Sequence, residues 1–406
     1  MPGVAGSASP VPTVGGLSEM VSGSVPSSQS LGFYLHVPFC VQRCHYCSFN
    51  TAPLETGQMD PYLAALHAEL ALLGALPWAR DVTIATVFLG GGTPSLLEPH
   101  EIRRIIDSCE SAFEIAADCE VTLEANPESV NEARLAGFRE AGVNRVSFGV
   151  QSFRNEELRR LSRLHDAARA AAAVREARAA GFDNLSLDLM MWLPEQSVTE
   201  WIDSVDQAIA LAPDHMSLYL LELYPNAPIK EEMARARWSQ APDEAAAAMY
   251  LTAMDRLDEA GYEHYEVSNV ARPGRRSRHN MKYWEDGDWI GIGCGAHSTR
   301  DGVRWKNVSA TEEYVDRIAR GEPTATDIRR LSADERLGDA LFTGLRLMDG
   351  IDLAAIYDRY GVDVWERYGA ELSPFLDEGC LKREGRRLRL TREGMLIAHE
   401  VMTIFV

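Results

Sequence analysis

Tyr34-Leu-His-Val-Pro-Phe-Cys40-Val-Gln-Arg-Cys44-His-Tyr46-Cys47-Ser-Phe49 places three cysteines at a spacing suited to an iron-sulfur cluster. Thiolates hold such clusters, and a cubane cluster normally takes four of them. Three close cysteines with no fourth nearby therefore leave one iron open to a small-molecule ligand, the feature that separates reactive metal sites from structural ones. A zinc site would pair two close cysteines with a distant pair or with two histidines, whereas Cys109, Cys119, Cys294 and Cys380 are scattered singly. Seven cysteines, an odd number in a chain of 406 residues, argue against a disulfide framework and for a reducing compartment.

Working outward from that stretch, the composition is ordinarily globular, with 46% hydrophobic and 25% charged residues, so the fold should not depend on staples. The length allows one large domain and a smaller one. Forty basic against sixty acidic side chains leave a formal charge of −20. A surface that acidic repels phosphate backbones and argues against nucleic-acid binding. No apolar run approaches the ~20 residues of a bilayer span, so the chain is not expected to be an integral membrane protein. Residues 1–30, rich in Ser, Gly, Pro and Val, read as a disordered leader without secretory or mitochondrial features. A cytoplasmic location is expected, with at most transient membrane association.

From Leu31 to about Leu223, short β-rich runs alternate with longer helical ones, the pattern of an α/β parallel sheet with crossover helices. Strands are expected over Phe33–Val37, Thr86–Leu89, Glu120–Glu124, Arg145–Val150, Leu185–Met190 and Met216–Leu223, with a helix over 61–76 capped by Asp60. Six such units predict a TIM-type barrel or partial barrel over 31–260, with its chemistry at the carboxyl ends of the strands. After the Ala-rich helix Asp243–Ala260, two β-like segments, Tyr262–Val270 and Trp289–Cys294, open a smaller α+β domain over 261–406. The chain is expected to turn mostly helical from Ser309, and Val364–Val406 reads as helix, hairpin around Gly385, helix. That order is winged-helix-like, and the net charge favours a packing module over a DNA binder.

Gly90-Gly91-Gly92-Thr93-Pro94 follows the strand ending at Leu89, where glycine lets a ligand approach the backbone. On residues alone it reads more readily as a turn than as a site. Glu124, Gln151, Arg163 and Asp188 also fall at or beyond strand ends. Arg suits a carboxylate through its planar fork of donors, and an acid inside the apolar run around Asp188 is expensive unless partnered.

The cysteine stretch resembles the Cys-x3-Cys-x2-Cys motif of the radical S-adenosylmethionine (SAM) superfamily, with an aromatic residue before the third cysteine. The resemblance implies a 4Fe-4S cluster on Cys40, Cys44 and Cys47 whose open iron is chelated by the amino and carboxylate groups of SAM. It extends over nearly everything after Leu31, and its branch is that of oxygen-independent coproporphyrinogen oxidases. By that resemblance Gly91, Gly92, Thr93, Glu124, Gln151, Arg163 and Asp188 contact SAM, and Tyr34 and Tyr46 line its pocket. One segment departs. The family's Ile-Tyr-Gly-Leu-Pro-Gly-Gln is here Met190-Met-Trp192-Leu-Pro194-Glu195-Gln196; two glycines are replaced, and a loop of different shape is expected.

Within the branch, the enzyme making protoporphyrinogen carries a further cysteine two residues after the third, where this chain has Phe49. Arg278-His279-Asn280-Met-Lys-Tyr283-Trp284 is similar to the His-Asn-x-x-Tyr-Trp segment of HemW-type heme chaperones, and Gly291-Ile-Gly-Cys-Gly-Ala-His297 to the segment after it. That resemblance implies a carrier of heme, with His279, Asn280, Tyr283 and Trp284 as its contacts and acceptor hemoproteins or cytochromes as partners of a possible homodimer. The chemistry is compatible: histidine ligates heme iron, aromatic rings cover a porphyrin, and Arg272, Arg275, Arg276 and Arg278 suit propionates. A capped or core His279 beside solubilising arginines remains open on the residues alone, with His36 and His297 as weaker ligands. The alternative activity is radical oxidative decarboxylation of coproporphyrinogen III. A radical methyltransferase opening heme is a further possibility.

Overall fold

The computed structural model describes residues 30–224 and 227–406; apart from Ser30, the leader read over 1–30 lies outside them. In chain order the strands are β1 (Ser30–Val37), β2 (Phe39–Cys40), β3 (Ala52–Pro53), β4 (Thr83–Gly91), β5 (Glu114–Ala125), β6 (Arg145–Gln151), β7 (Leu185–Met191) and β8 (His215–Leu220). They continue with β9 (Glu263–Glu266), β10 (Asn269–Ala271), β11 (Trp289–Ile292), β12 (His297–Arg300), β13 (Val303–Asn307) and β14 (Ala325–Arg330). Last come β15 (Ile351–Asp352), β16 (Leu381–Glu384) and β17 (Arg387–Leu390).

Among the described residues a twelve-stranded sheet runs in the order β14-β13-β12-β11-β1-β4-β5-β6-β7-β8-β10-β9. Its centre, β11 through β8, is parallel, and the outer strands are antiparallel. The near-continuous apolar runs of the central strands follow from burial on both faces, as parallel sheets require. Phe33, Leu35, Val87, Leu89, Leu123, Phe148, Leu187 and Leu189 belong to the main apolar core. Their sequence neighbours Tyr34, Phe88, Glu124, Ser147 and Asp188 point to the opposite, concave face, because side chains alternate along a strand. The partial barrel is thus apolar towards its helices and polar within.

Several expectations change in detail. The first helix runs over Met59–Gly74 with Gln58 at its cap, so Asp60 lies inside its first turn. Tyr262–Val270 divides into β9 and β10, paired antiparallel. The outer strands β12, β13 and β14 were not expected, and β14, the edge strand, interrupts the region read as mostly helical; its polar sequence Ala325-Thr-Asp-Ile-Arg-Arg330 marks an edge that faces solvent. The boundary placed near residue 260 falls inside one continuous sheet, whose two edges are built by β9–β14. The end of the chain is winged-helix-like: helix Val364–Asp377, the β16–β17 hairpin turning at Gly385, with β15 as third strand, then helix Ala398–Met402.

Candidate functional site

The carboxyl ends of β4 to β8 surround a cavity of about 430 Å³. Cys40, Cys44 and Cys47 line one side, with Tyr46, Gly91, Gly92 and Thr93; Glu124, Gln151, Arg163 and Asp188 line the rest. Residues spread over 149 positions therefore converge on one site, as the barrel reading requires. Sheet register does much of this, setting Glu124 opposite Ser147 and Asp188 opposite Gly149 and Ser217.

The cysteine loop is held by backbone bonds at both ends. Ala52 N–H donates to Pro38 O at 2.9 Å and Leu54 N–H to Cys40 O at 2.8 Å, while Gly92 and Thr93 N–H reach Val37 O and Phe39 O, each at 2.8 Å. A side chain at Gly91 would strike the His36 ring at 2.5 Å, and one at Gly92 would strike Phe39 O at 2.6 Å. Both glycines thus admit the cysteine loop as well as lining the cavity. The Thr93 hydroxyl donates to Cys40 Sγ at 3.5 Å, and burial pushes the Cys40 thiol up, opposed by that bond. Arg163 donates through Nη1 to Cys44 Sγ at 3.4 Å and through Nη2 to Gly149 O at 2.6 Å.

Across the cavity, Glu124 accepts the Gly91 N–H at 3.0 Å, and Asp188 accepts the Ser147 hydroxyl at 3.2 Å. Burial, then the neighbouring Asp188 carboxyl, pushes Glu124 up to about 7. Asp188 is also raised, first by burial, against the hydroxyls of Ser217 and Ser147. Two buried acids whose bonded partners are neutral suit a ligand that brings positive charge. A sulfonium with an ammonium group is such a ligand, and three thiols at the same cavity match the soft donor set of an iron-sulfur cluster. Among the described residues no three His, Cys, Asp or Glu side chains converge on a single-ion site; the thiols are strung along a loop instead. Bound there, a cluster supplies an electrophilic iron and a transferable electron, while these residues orient the ligand.

Not every expected residue reaches the cavity. Tyr34 lies beneath it, its hydroxyl 3.0 Å from His36 Nδ1, and His36 Nε2 is engaged at 2.8 Å by Asn50 O. The heme-contact set is further away. Glu120 accepts the backbone N–H groups of Arg278 and His279 at 3.2 and 3.1 Å, so helix Arg278–Trp284 closes the amino-terminal end of the barrel, roughly 13 Å of strand below Glu124. His279 is fully buried, with Nδ1 2.8 Å from Thr86 Oγ1 and Nε2 2.7 Å from Tyr283 Oη. Burial holds its pKa down, to about 3. Both ring nitrogens are thus engaged within the barrel floor, and iron ligation by His279 would require one of these bonds to break. Asn280 is bonded at the helix start to Ser277, Trp284 lies under Arg346, and Tyr283 meets Trp289 edge-on. Arg275, Arg276 and Arg278 pair with Asp183, Asp349 and Asp118, and Arg272 covers Tyr262; His297 is exposed on β12. His279→Ala is therefore expected to lower the folding stability by about 2–5 kcal/mol of lost packing and bonding, read as a lower thermal midpoint, while heme uptake per folded molecule, read by absorbance titration, stays within twofold of the parent protein.

The structure adds residues to the site that sequence reasoning passed over. Met190, Tyr219 and Leu220 line the cavity; Tyr219 was legible as the inward partner of Ser217 on β8, two residues along. In the loop that departs from the family pattern, Trp192 and Glu195 have φ of 62° and 59°, the left-handed region that favours glycine; Gln151, on β6, has 69°.

With this geometry in place, comparison with known proteins is direct. The Radical SAM superfamily matches residues 34–208, and the HemN C-terminal domain matches 331–397. The heme chaperone HemW of Mycobacterium tuberculosis H37Rv is 39% identical over 377 residues, covering 92% of this chain and 94% of its own. That of Bacillus subtilis is 32% identical over 374 residues, covering 92% and 98%. The crystal fold of Escherichia coli coproporphyrinogen III oxidase, HemN, superposes with a TM-score of 0.82 at 22% identity, over 96% of this chain and 93% of that one. The chain therefore belongs to the radical SAM superfamily and, within it, to the HemW family.

Proposed function

We propose that this protein binds heme and delivers it to hemoproteins or respiratory cytochromes, carrying a 4Fe-4S cluster on Cys40, Cys44 and Cys47 with SAM beside it. The observation that carries this reading is the similarity to HemW heme chaperones along 92% of the chain, through the barrel and the winged-helix-like end alike. Phe49 supports it: the position is 67% exposed and lines the cavity, and a phenyl ring there supplies no thiolate. Among the described residues no helix is long and apolar enough to cross a membrane. A cytoplasmic carrier, dimeric and meeting its acceptors at a membrane surface, is part of the same proposal.

The decisive comparison is anaerobic. Protein with a reconstituted cluster is given SAM and reductant, then either heme or coproporphyrinogen III. Stoichiometric heme binding without vinyl product is the expected result. Turnover to protoporphyrinogen with methionine release would replace the carrier with an oxidase.

A further inference from the structure

Trp192 and Glu195, the two residues that depart from the family pattern described above, are both held at positive φ. A side chain in that region strains the backbone, so something must offset it. Both residues grip one segment. Trp192 Nε1 donates to Ala241 O at 2.7 Å, and Gln240 Nε2 donates to Trp192 O at 3.0 Å. The Glu195 carboxylate accepts Ser239 N–H at 2.7 Å, and Glu195 N–H donates to Ser239 O at 2.9 Å.

The gripped segment, 227–241, contains helix Pro228–Ala236 and does not share the main core. Its Ile229 and Met233 pack in a separate apolar cluster with Leu161, Met190 and Leu193, against which Tyr46 also lies. At its far end it touches the cysteine loop twice: Ile229 N–H donates to His45 O at 3.1 Å, and Glu232 meets His45 Nδ1 at 2.8 Å. His45 and Tyr46 are the two residues between Cys44 and Cys47. Trp192, by contrast, packs on the main core, so its indole joins the rigid barrel to a segment that otherwise holds through a small cluster of its own.

We propose that Trp192 and Glu195 are positioning residues for the cluster, acting through segment 227–241, which they latch to the barrel so that it clamps the loop between Cys44 and Cys47. The inference rests on the cluster reading above. Restoring glycine at both positions relieves strain and should leave the barrel folded, while freeing the clamp. In the full-length protein, W192G/E195G is expected to lose its reconstituted cluster to a chelator about tenfold faster than the parent, the balance of lost hydrogen bonds against relieved strain. Amide exchange over 227–241 should quicken by a similar factor, with the main strands unchanged. Gln240→Ala, which keeps both strained residues and removes the Gln240 bonds to Trp192 O and Leu221 O, should move both readings in the same direction, and Glu232→Gln should release the cluster faster without loosening 239–241. Equal chelation and exchange rates in parent and double variant would overturn the latch. A parent protein that never holds a cluster would instead remove the cluster reading, and exchange over 227–241 would still decide whether the latch exists.

Discussion

Cys44→Ser is expected to give a folded, colourless protein. In the proposed cluster each of the three thiolates would hold one iron of the cube, so losing any one would remove a third of the chain's ligands and leave two that cannot enclose the cluster. Serine is a poor replacement because its alcohol stays protonated and is hard where iron-sulfur sites prefer soft donors. Cys40, Cys44 and Cys47 are partly exposed and lie outside the apolar core, so the fold has little to lose. Iron content and visible absorption after anaerobic reconstitution should fall to background in each of the three variants, with far-ultraviolet dichroism unchanged. Cys380→Ser, at a half-buried position in the winged-helix-like end, should keep its full iron. Retained cluster absorption in all three loop variants would contradict the assignment.

The second large effect concerns Glu124. Its carboxyl is raised to about 7 by burial and by Asp188, so the chain holds an acid it would rather keep neutral unless a cation arrives. Two consequences follow with opposite signs. For ligand binding, the charged form is the useful one: SAM affinity, read by equilibrium dialysis, should weaken as the pH falls from 8 to 6, because protonation removes the carboxylate that in the proposed site would meet the ammonium group. Glu124→Gln should bind SAM some 10- to 100-fold more weakly at pH 8, the value of a hydrogen bond to a charged group, and should lose that pH dependence. For stability without ligand, the sign reverses. A carboxyl whose folded pKa exceeds its ordinary value of 4.5 binds its proton more tightly in the folded state, so ionisation destabilises the fold as the pH rises from 4.5 through about 7. Glu124→Gln should therefore raise the stability of the cofactor-free protein at pH 8 by on the order of 3 kcal/mol, and by about 1 kcal/mol or less at pH 5. A variant that is less stable than its parent at pH 8 would show that Glu124 is paired in the free protein.

How much of this was legible in the residues depends on the range of the interaction. The parallel strands announced themselves because burial on both faces demands continuous apolar runs, as in Phe33–Val37 and Leu185–Met190. The strand-end polar residues stood out for the same reason: Glu124 and Asp188 interrupt those runs and end at one cavity. Outer antiparallel strands such as β13, Val-Arg-Trp-Lys-Asn, escaped notice because one more exposed face dilutes the apolar signal to alternate residues. The surroundings of His279 were hidden for a different cause. A histidine flanked by Arg, Asn, Tyr and Trp looks like a ligand in one dimension, and only the partners Thr86 and Glu120, more than 150 positions earlier, reveal it as the bolt of the barrel floor. Trp192 and Glu195 could be seen as departures from glycine, but their bonds to 239–241 could not.

The account rests on one open iron meeting SAM. Electron paramagnetic resonance of the reduced, reconstituted cluster, recorded with and without SAM, addresses that contact without requiring turnover. A spectrum that changes in line shape on adding SAM, and that no longer responds in Glu124→Gln at the same concentration, is the predicted result. A spectrum indifferent to SAM at any concentration would contradict the account.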